Sequence, residues 1–274
     1  MLPKKLLSIP FAILAVLSLL FTGCGTGSNT GMGSMELRMY DAPIDSASAV
    51  NVKIDKVEIN RTGSANGWDV ISTPNKMYNL LDLANGAYAV LGDTTLEAGT
   101  YPQIRLVLSQ DSNNVVVNGK TYGLTIPSGS QTGIKLDVNA KIEKDINYVL
   151  LLDFDAARSV VQAGGQGSSQ SKYLLKPVIR AKNKATTGNI GGIVNPTDAK
   201  AVVYAIANSD TLASTVADTT DGTFKLVGLD EGDYAVSIDP RNDNYQSKDS
   251  TGVHVTLGET NDLGTITLSQ SGVQ

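Results

Sequence analysis

Hydrophobic and polar residues alternate along most of this chain with a period of two. Met35, Leu37 and Met39 fall on one side of an extended segment, with Glu36, Arg38 and Tyr40 on the other. That is the pattern of a half-buried strand. Asp41-Ala-Pro-Ile-Asp45 ends it, because Pro43 has no N–H to give to a ladder. A second strand is expected over residues 49–60, where Val50, Val52 and Ile54 change phase to Val57 and Ile59 near Asp55-Lys56. An extra residue in a β-bulge produces such a shift. A turn at Gly63–Gly67 precedes Trp68-Asp-Val-Ile71, and Asn85-Gly86 marks another after Tyr78–Leu83. Further turn signals stand at Leu91-Gly92 and at Leu96-Glu-Ala-Gly99, followed by a strand over residues 101–108. Asn118-Gly119 suits the type I′ turn of a hairpin between Val115-Val-Val117 and Lys120-Thr-Tyr122. Residues 133–138 alternate again, while 147–154 are nearly all apolar and belong at the centre of a sheet. A helical turn is expected at 156–161, a Gly/Ser/Gln loop at 164–171 and a closing strand at 173–180.

After a polar stretch at 182–187 the same rhythm resumes. Short strands are expected at 188–194, 201–207, 212–217, 223–227, 233–238, 252–257 and 263–268. Turn signals recur about every 8–12 residues, the spacing of a β-sandwich. The fold class is therefore all-β: two β-sandwich domains in tandem, residues 35–181 and 188–270, joined by a linker at 182–187.

The N-terminus has a different pattern. Lys4-Lys5 leads into an apolar run from Leu6 to Phe21, then Thr22-Gly23-Cys24. The run falls short of the roughly 20 apolar residues that a spanning helix needs. Basic start, short apolar core and small residues before a cut make a secretory signal. Cys24 is the only cysteine, and a lone thiol in an oxidising compartment has no disulfide partner. Residues 21–24 resemble the lipobox of bacterial lipoproteins, although Phe21 stands where Leu, Val or Ile is usual. The resemblance implies a signal peptide at 1–23, acylation of Cys24 and a membrane anchor, with several acyl chains holding it stably. Residues 24–34 are then a Gly/Ser/Thr/Asn tether. Gly25 after the cysteine resembles the pattern sorted to the outer membrane of a diderm bacterium, so a cell-envelope address, facing periplasm or medium, is expected.

Charge narrows the partners. The formal net charge is −5, and loss of Lys4 and Lys5 with the signal makes it −7. Scattered Lys and Arg on an acidic chain leave no footprint for nucleic acid and disfavour electrostatic binding to anionic lipid.

Two family resemblances follow. Asp41-Ala-Pro43, Leu80-Leu-Asp-Leu83 with Gly86, residues 96–106 (LEAGTYPQIRL), Gln131–Leu136, Leu152–Ala156 with Ser159, and Leu175-Lys-Pro-Val178 resemble a bacterial lipoprotein family known as a domain of unknown function, DUF4382. That likeness implies a β-sandwich and an envelope address but no activity. Residues 188–194, 201–204, 221–226, 228–236 and 261–268 resemble the carboxypeptidase regulatory-like, or transthyretin-like, sandwich. Such domains resemble carbohydrate-binding-like folds, serve as spacers or adhesion modules, and imply no active site.

Little catalytic chemistry remains. His254 is the only histidine, expected to face solvent from a strand, and no nucleophile motif accompanies it. A zinc site of His and Cys is excluded, and Gly164-Gly-Gln-Gly167 lacks the Lys-Ser/Thr of a phosphate loop. Carboxylates are left. Asp153 and Asp155, two apart, share a strand face, and Asp41 ends the first strand. If those strand ends converge, Asp41, Asp153 and Asp155 make a candidate calcium site of oxygen ligands. The favoured reading is that they pair with Arg38, Arg105, Arg158 or Arg180, or cap turns and the helix near Ser159. No cofactor is expected unless calcium binds there. A glycosidase built on paired acids ranks last, since aromatics are 5% of the chain and Trp68 stands alone. The expected function is a non-catalytic, membrane-anchored envelope lipoprotein, a binding, adhesion or scaffold module with an unknown protein or glycan ligand. The alternative is a carbohydrate-binding surface lipoprotein using Tyr101, Tyr122, Tyr204, Tyr234 and Tyr245.

Overall fold

A computed structural model describes residues 31–42, 47–63, 67–127, 133–163 and 172–272. Cys24, the expected signal peptide and the first part of the expected tether lie outside the described residues. Thirteen strands come first: β1 (Met32–Ala42), β2 (Ala49–Asn60), β3 (Trp68–Ser72), β4 (Lys76–Asn79), β5 (Ala89–Glu97), β6 (Gly99–Leu108), β7 (Asn114–Val117), β8 (Lys120–Thr125), β9 (Ile134–Ile142), β10 (Asn147–Asp155), β11 (Val160–Ala163), β12 (Lys172–Leu175) and β13 (Ile179–Asn183). One sheet runs β13-β10-β1-β5. The other runs β11-β12-β8-β7-β2-β6-β9, with β3 and β4 also paired to β2. Their inner faces close on one core, where Met35, Leu37, Met39, Ile54, Leu106 and Phe154 are completely buried.

Alternation placed these side chains correctly. In β1 every second residue from Met35 to Met39 is buried. β2 changes register with β6 between Ile54 and Lys56, where the sequence changes phase. β7 and β8 form the hairpin about Asn118-Gly119, both with positive φ (51° and 73°) as a type I′ turn requires. β10 lies inside its sheet, between β13 and β1.

Four segments differ from expectation. β1 begins at Met32, inside the expected tether, because its first residues pair with β5 and β10. Residues 91–97, read as turn signals, are strand β5. Its Asp93, Thr94 and Thr95 are polar because β5 is a sheet edge with one face exposed. The closing strand 173–180 is two strands in different sheets, broken at Lys176-Pro-Val178. Pro177 has no N–H to bond, while the N–H groups on either side go to the Ser159 carbonyl and hydroxyl, 2.8 Å each. The expected helical turn is only α1 (Ala156–Ser159), after which the chain is already β11.

Seven further strands follow: β14 (Gly188–Asn195), β15 (Val202–Ala207), β16 (Asp210–Val216), β17 (Thr223–Leu229), β18 (Gly232–Asp239), β19 (Lys248–Val255) and β20 (Thr260–Thr267). They make a sheet β17-β14-β20 and a sheet β16-β15-β18-β19 around a second core that includes Ile190, Val203, Leu226, Val236 and Val255. Residues 182–187 are continuous with both neighbours. Lys182 and Asn183 complete β13, residues 184–186 form a 3-10 turn, and Thr187 is buried.

Candidate functional site

The strand ends that carry the acidic residues do converge. β1 and β10 run parallel, with Tyr40 beside Asp153, Asp41 beside Phe154 and Ala42 beside Asp155. Registered residues of parallel strands face the same way, so Asp153 and Asp155 share the face of Tyr40, and Asp41 lies on the face of Phe154. The carboxylates are thus split between two faces. Asp41 Oδ1 accepts the N–H of Ala156 at 3.0 Å. Asp155 is the N-cap of α1: Oδ1 accepts the N–H of Arg158 at 2.9 Å, and Oδ2 takes Arg158 Nε at 2.5 Å. Two of the three acids therefore hold the first turn of one short helix, where free N–H groups need acceptors.

Asp153 has another partner. Its Oδ2 accepts from Arg180 Nη2 at 2.6 Å and Nε at 3.1 Å across the β10–β13 pair. Burial pushes the Asp153 carboxyl above the ordinary value, and the Arg180 guanidinium opposes that rise. Among the described residues, no group of three or more His, Cys, Asp or Glu is placed to hold a metal ion.

Arg180 also opens onto the second core's strands. A cleft of about 130 Å³ lies between the two units, with Tyr40, Leu151, Asp153 and Arg180 on one wall and Leu212 and Tyr234 on the other. Around it the units are joined directly. Lys182 Nζ meets Asp230 Oδ2 at 2.6 Å. Asn85 donates its N–H to Thr215 Oγ1 at 2.8 Å and its side-chain amide to the Thr223 carbonyl at 3.1 Å. Asn85 holds φ at 57°, a left-handed conformation that Asn tolerates, and this aims both donors at the second unit. Gly228 passes over Leu151, where an added Cβ would lie 3.6 Å from Leu151 Cδ1. That cover explains why β10 is apolar on both faces: Leu150, Leu152 and Phe154 fill the first core, and Leu151 is buried beneath the second unit.

The five tyrosines considered for sugar stacking do not form a platform. Tyr101 and Tyr234 are buried, and Tyr122, Tyr204 and Tyr245 are half-buried. Tyr122 packs on Tyr173, with ring centres 5.1 Å apart, and Tyr245 OH bonds Asp198 at 3.0 Å. His254 faces solvent, its Nδ1 2.8 Å from Asp233.

One recurring device escapes a left-to-right reading. Leu96-Glu-Ala-Gly-Thr-Tyr101 and Leu229-Asp-Glu-Gly-Asp-Tyr234 share the pattern Leu-acid-x-Gly-x-Tyr. In each, the tyrosine hydroxyl donates to the carbonyl of the acidic residue at 2.9 Å, and the acid's carboxylate pairs with a cation, Arg61 for Glu97 and Lys182 for Asp230. This arrangement matches a tyrosine corner, in which a buried ring pins the chain as it enters a strand. Aligning the two halves of the sequence on Gly99 and Gly232 reveals it.

Comparison with known proteins gives the following. Residues 32–177 match the model of the family described as "Domain of unknown function (DUF4382)". No curated protein matches the chain. Among solved structures the chain is similar to a type II cohesin–X-dockerin complex from Acetivibrio cellulolyticus, at 24% identity over 30% of this chain and 56% of that one, with a TM-score of 0.24. It is also similar to the minor pilin GBS52 of Streptococcus agalactiae, at 11% identity over 88% and 98% of the two chains, TM-score 0.24. The shaft pilin SpaA from Lactobacillus rhamnosus GG gives 13% identity over 89% and 99%, TM-score 0.25. The chain spans 56–58% of the length of the cohesin–X-dockerin chains.

Proposed function

The chain belongs to the DUF4382 family, and we propose that it is a non-catalytic envelope lipoprotein, held to a membrane through acylated Cys24 and acting as a binding, adhesion or scaffold module. The observation that carries this reading is the junction. Asn85 and Lys182 bond the two β-packed units directly, and Gly228 packs over Leu151 between them, which supports a scaffold whose two units act together. The acidic side chains nearest that junction support the same reading, because each is engaged with a backbone N–H or an arginine. Residues 188–270 are assigned to the carboxypeptidase regulatory-like class, supported by seven strands in sheets of three and four. The outer membrane of a diderm bacterium is the proposed address, supported by Gly25 after the cysteine.

Fractionating cells that express wild type and Cys24→Ser tests the anchor. Wild type is expected in the membrane fraction and the variant in the soluble one. A variant that stays with the membranes overturns the reading.

A further inference from the structure

The start of β1 is clasped by the turn between β9 and β10. The N–H of Asp145 donates to the Met32 carbonyl at 2.9 Å, and that of Ser34 to the Ile146 carbonyl at 3.0 Å. The approach is so close that a Cβ on Gly33 would lie 2.3 Å from the Glu143 carbonyl oxygen. The first of the described residues therefore join the fold at this turn. Two apolar side chains stand out from the same spot: Met32 is 49% exposed and Ile146 53%. Beside them lies a hollow of about 550 Å³ whose lining includes Ile146, Tyr148, Lys141 and Lys184 from the first unit and its connection, and Gly258 from the second. Leu257, next to Gly258, is 41% exposed.

Chain length ties this end to a surface. Between Cys24 and Gly31 are seven residue steps, which reach at most about 25 Å even at full extension. We propose that this end of the molecule rests on the lipid surface, with Met32 and Ile146 in the interfacial layer and Lys141 and Lys184 toward the phosphates. The chemistry fits zwitterionic headgroups. The apolar side chains are flanked by both charges, Lys184 and a Lys141 paired with Glu143 at 2.8 Å, and lysine stems can lie along apolar surface with the charge in water, which suits that boundary. The opposite end, at the Asn118-Gly119 turn, is separated from it by roughly 35 Å along the twelve-residue β2. The proposal rests on the acylated Cys24.

Acylation blocks the native thiol, so one introduced cysteine can carry an environment-sensitive fluorophore. Full-length lipidated Ile146→Cys and Lys120→Cys proteins, purified from membranes, are labelled and reconstituted into phosphatidylcholine vesicles with or without nitroxide-bearing lipid. Both sites are exposed, so neither substitution disturbs a core. The expected result is a blue-shifted emission at position 146 that the nitroxide quenches, and neither effect at position 120. If the protein floats with the vesicles and the two labels behave alike, the lipid-facing end is overturned while the anchor stands. A wild-type chain that takes the thiol reagent at Cys24 and does not float overturns the anchor, and the orientation with it.

Discussion

Replacing Asp155 in two steps separates holding a backbone from holding a charge. Asp155→Asn keeps a side-chain oxygen for the Arg158 N–H, 2.9 Å away, and loses only the ion pair. The Arg158 side chain is 53% exposed, so that pair contributes at most about 1 kcal/mol, and Asn caps a helix as well as Asp does. Asp155→Ala loses pair and cap together, and the cap alone costs about 1 kcal/mol and up to about 2. The expected totals are about 0–1 kcal/mol for Asn and about 1–3 for Ala. For a chain of this size each kcal/mol moves Tm by about 2–4 °C, so the alanine variant should melt several degrees below the asparagine one. Circular-dichroism melts at neutral pH, first in chelator and then with excess calcium, measure both. A saturated calcium site would add about 2.7 kcal/mol at a hundred times its Kd, whereas capping gives no response to calcium. If asparagine costs as much as alanine, or wild-type Tm rises with calcium, the carboxylate charge itself is in use and the capping account is wrong.

The tyrosine corners give a second test: Tyr101→Phe and Tyr234→Phe each remove one hydroxyl bond of 2.9 Å, about 1 kcal/mol apiece. The corners sit in separate cores, so the double variant should lose the sum in denaturant unfolding. A double variant no worse than either single one would refute independent corners. Glu58 supplies the pH dependence. Burial pulls its carboxyl up, but hydrogen bonds from Lys56 and Arg105 more than offset that and hold it below its ordinary 4.5. A depressed folded value stabilises above the unfolded value and is lost as pH falls through the folded one. Glu58→Gln should therefore be less stable than wild type at pH 7, with the difference shrinking below about pH 4.5. A difference constant from neutral to acid pH would contradict it.

Strand existence was legible because one face of nearly every strand meets a core, and burial with a period of two writes itself into the sequence. β2, its bulge and the hairpin at Asn118-Gly119 were readable residue by residue, while the seven strands of the second unit were placed with ends up to four residues off, as at β19, expected over 252–257 and found at Lys248–Val255. What failed was structure decided by neighbours distant in sequence. β5 is polar because it is an edge, and sequence does not distinguish an edge strand's Asp-Thr-Thr from a turn's. The split of residues 173–180 at Pro177 depends on Ser159, which accepts from the N–H groups of Lys176 and Val178 on either side of the proline. Asp41, Asp153 and Asp155 were visible as acids near strand ends. Their division between two faces needed the parallel register of β1 with β10, which no local pattern encodes.

That register has a consequence in time. A ribosome delivers β1 first, but its partner β5 arrives more than fifty residues later and β10 only after more than a hundred. Until Asn147–Asp155 is available, Met35, Leu37 and Met39 have no completed sheet to cover them, and pairings this remote in sequence are slow to close. The first strand of the fold is thus flanked on both sides only once residue 155 has emerged. A chain halted before residue 155 would present an unpaired apolar strand, the species most prone to stick to its own copies, so keeping it in solution during that interval falls to whatever holds the nascent chain.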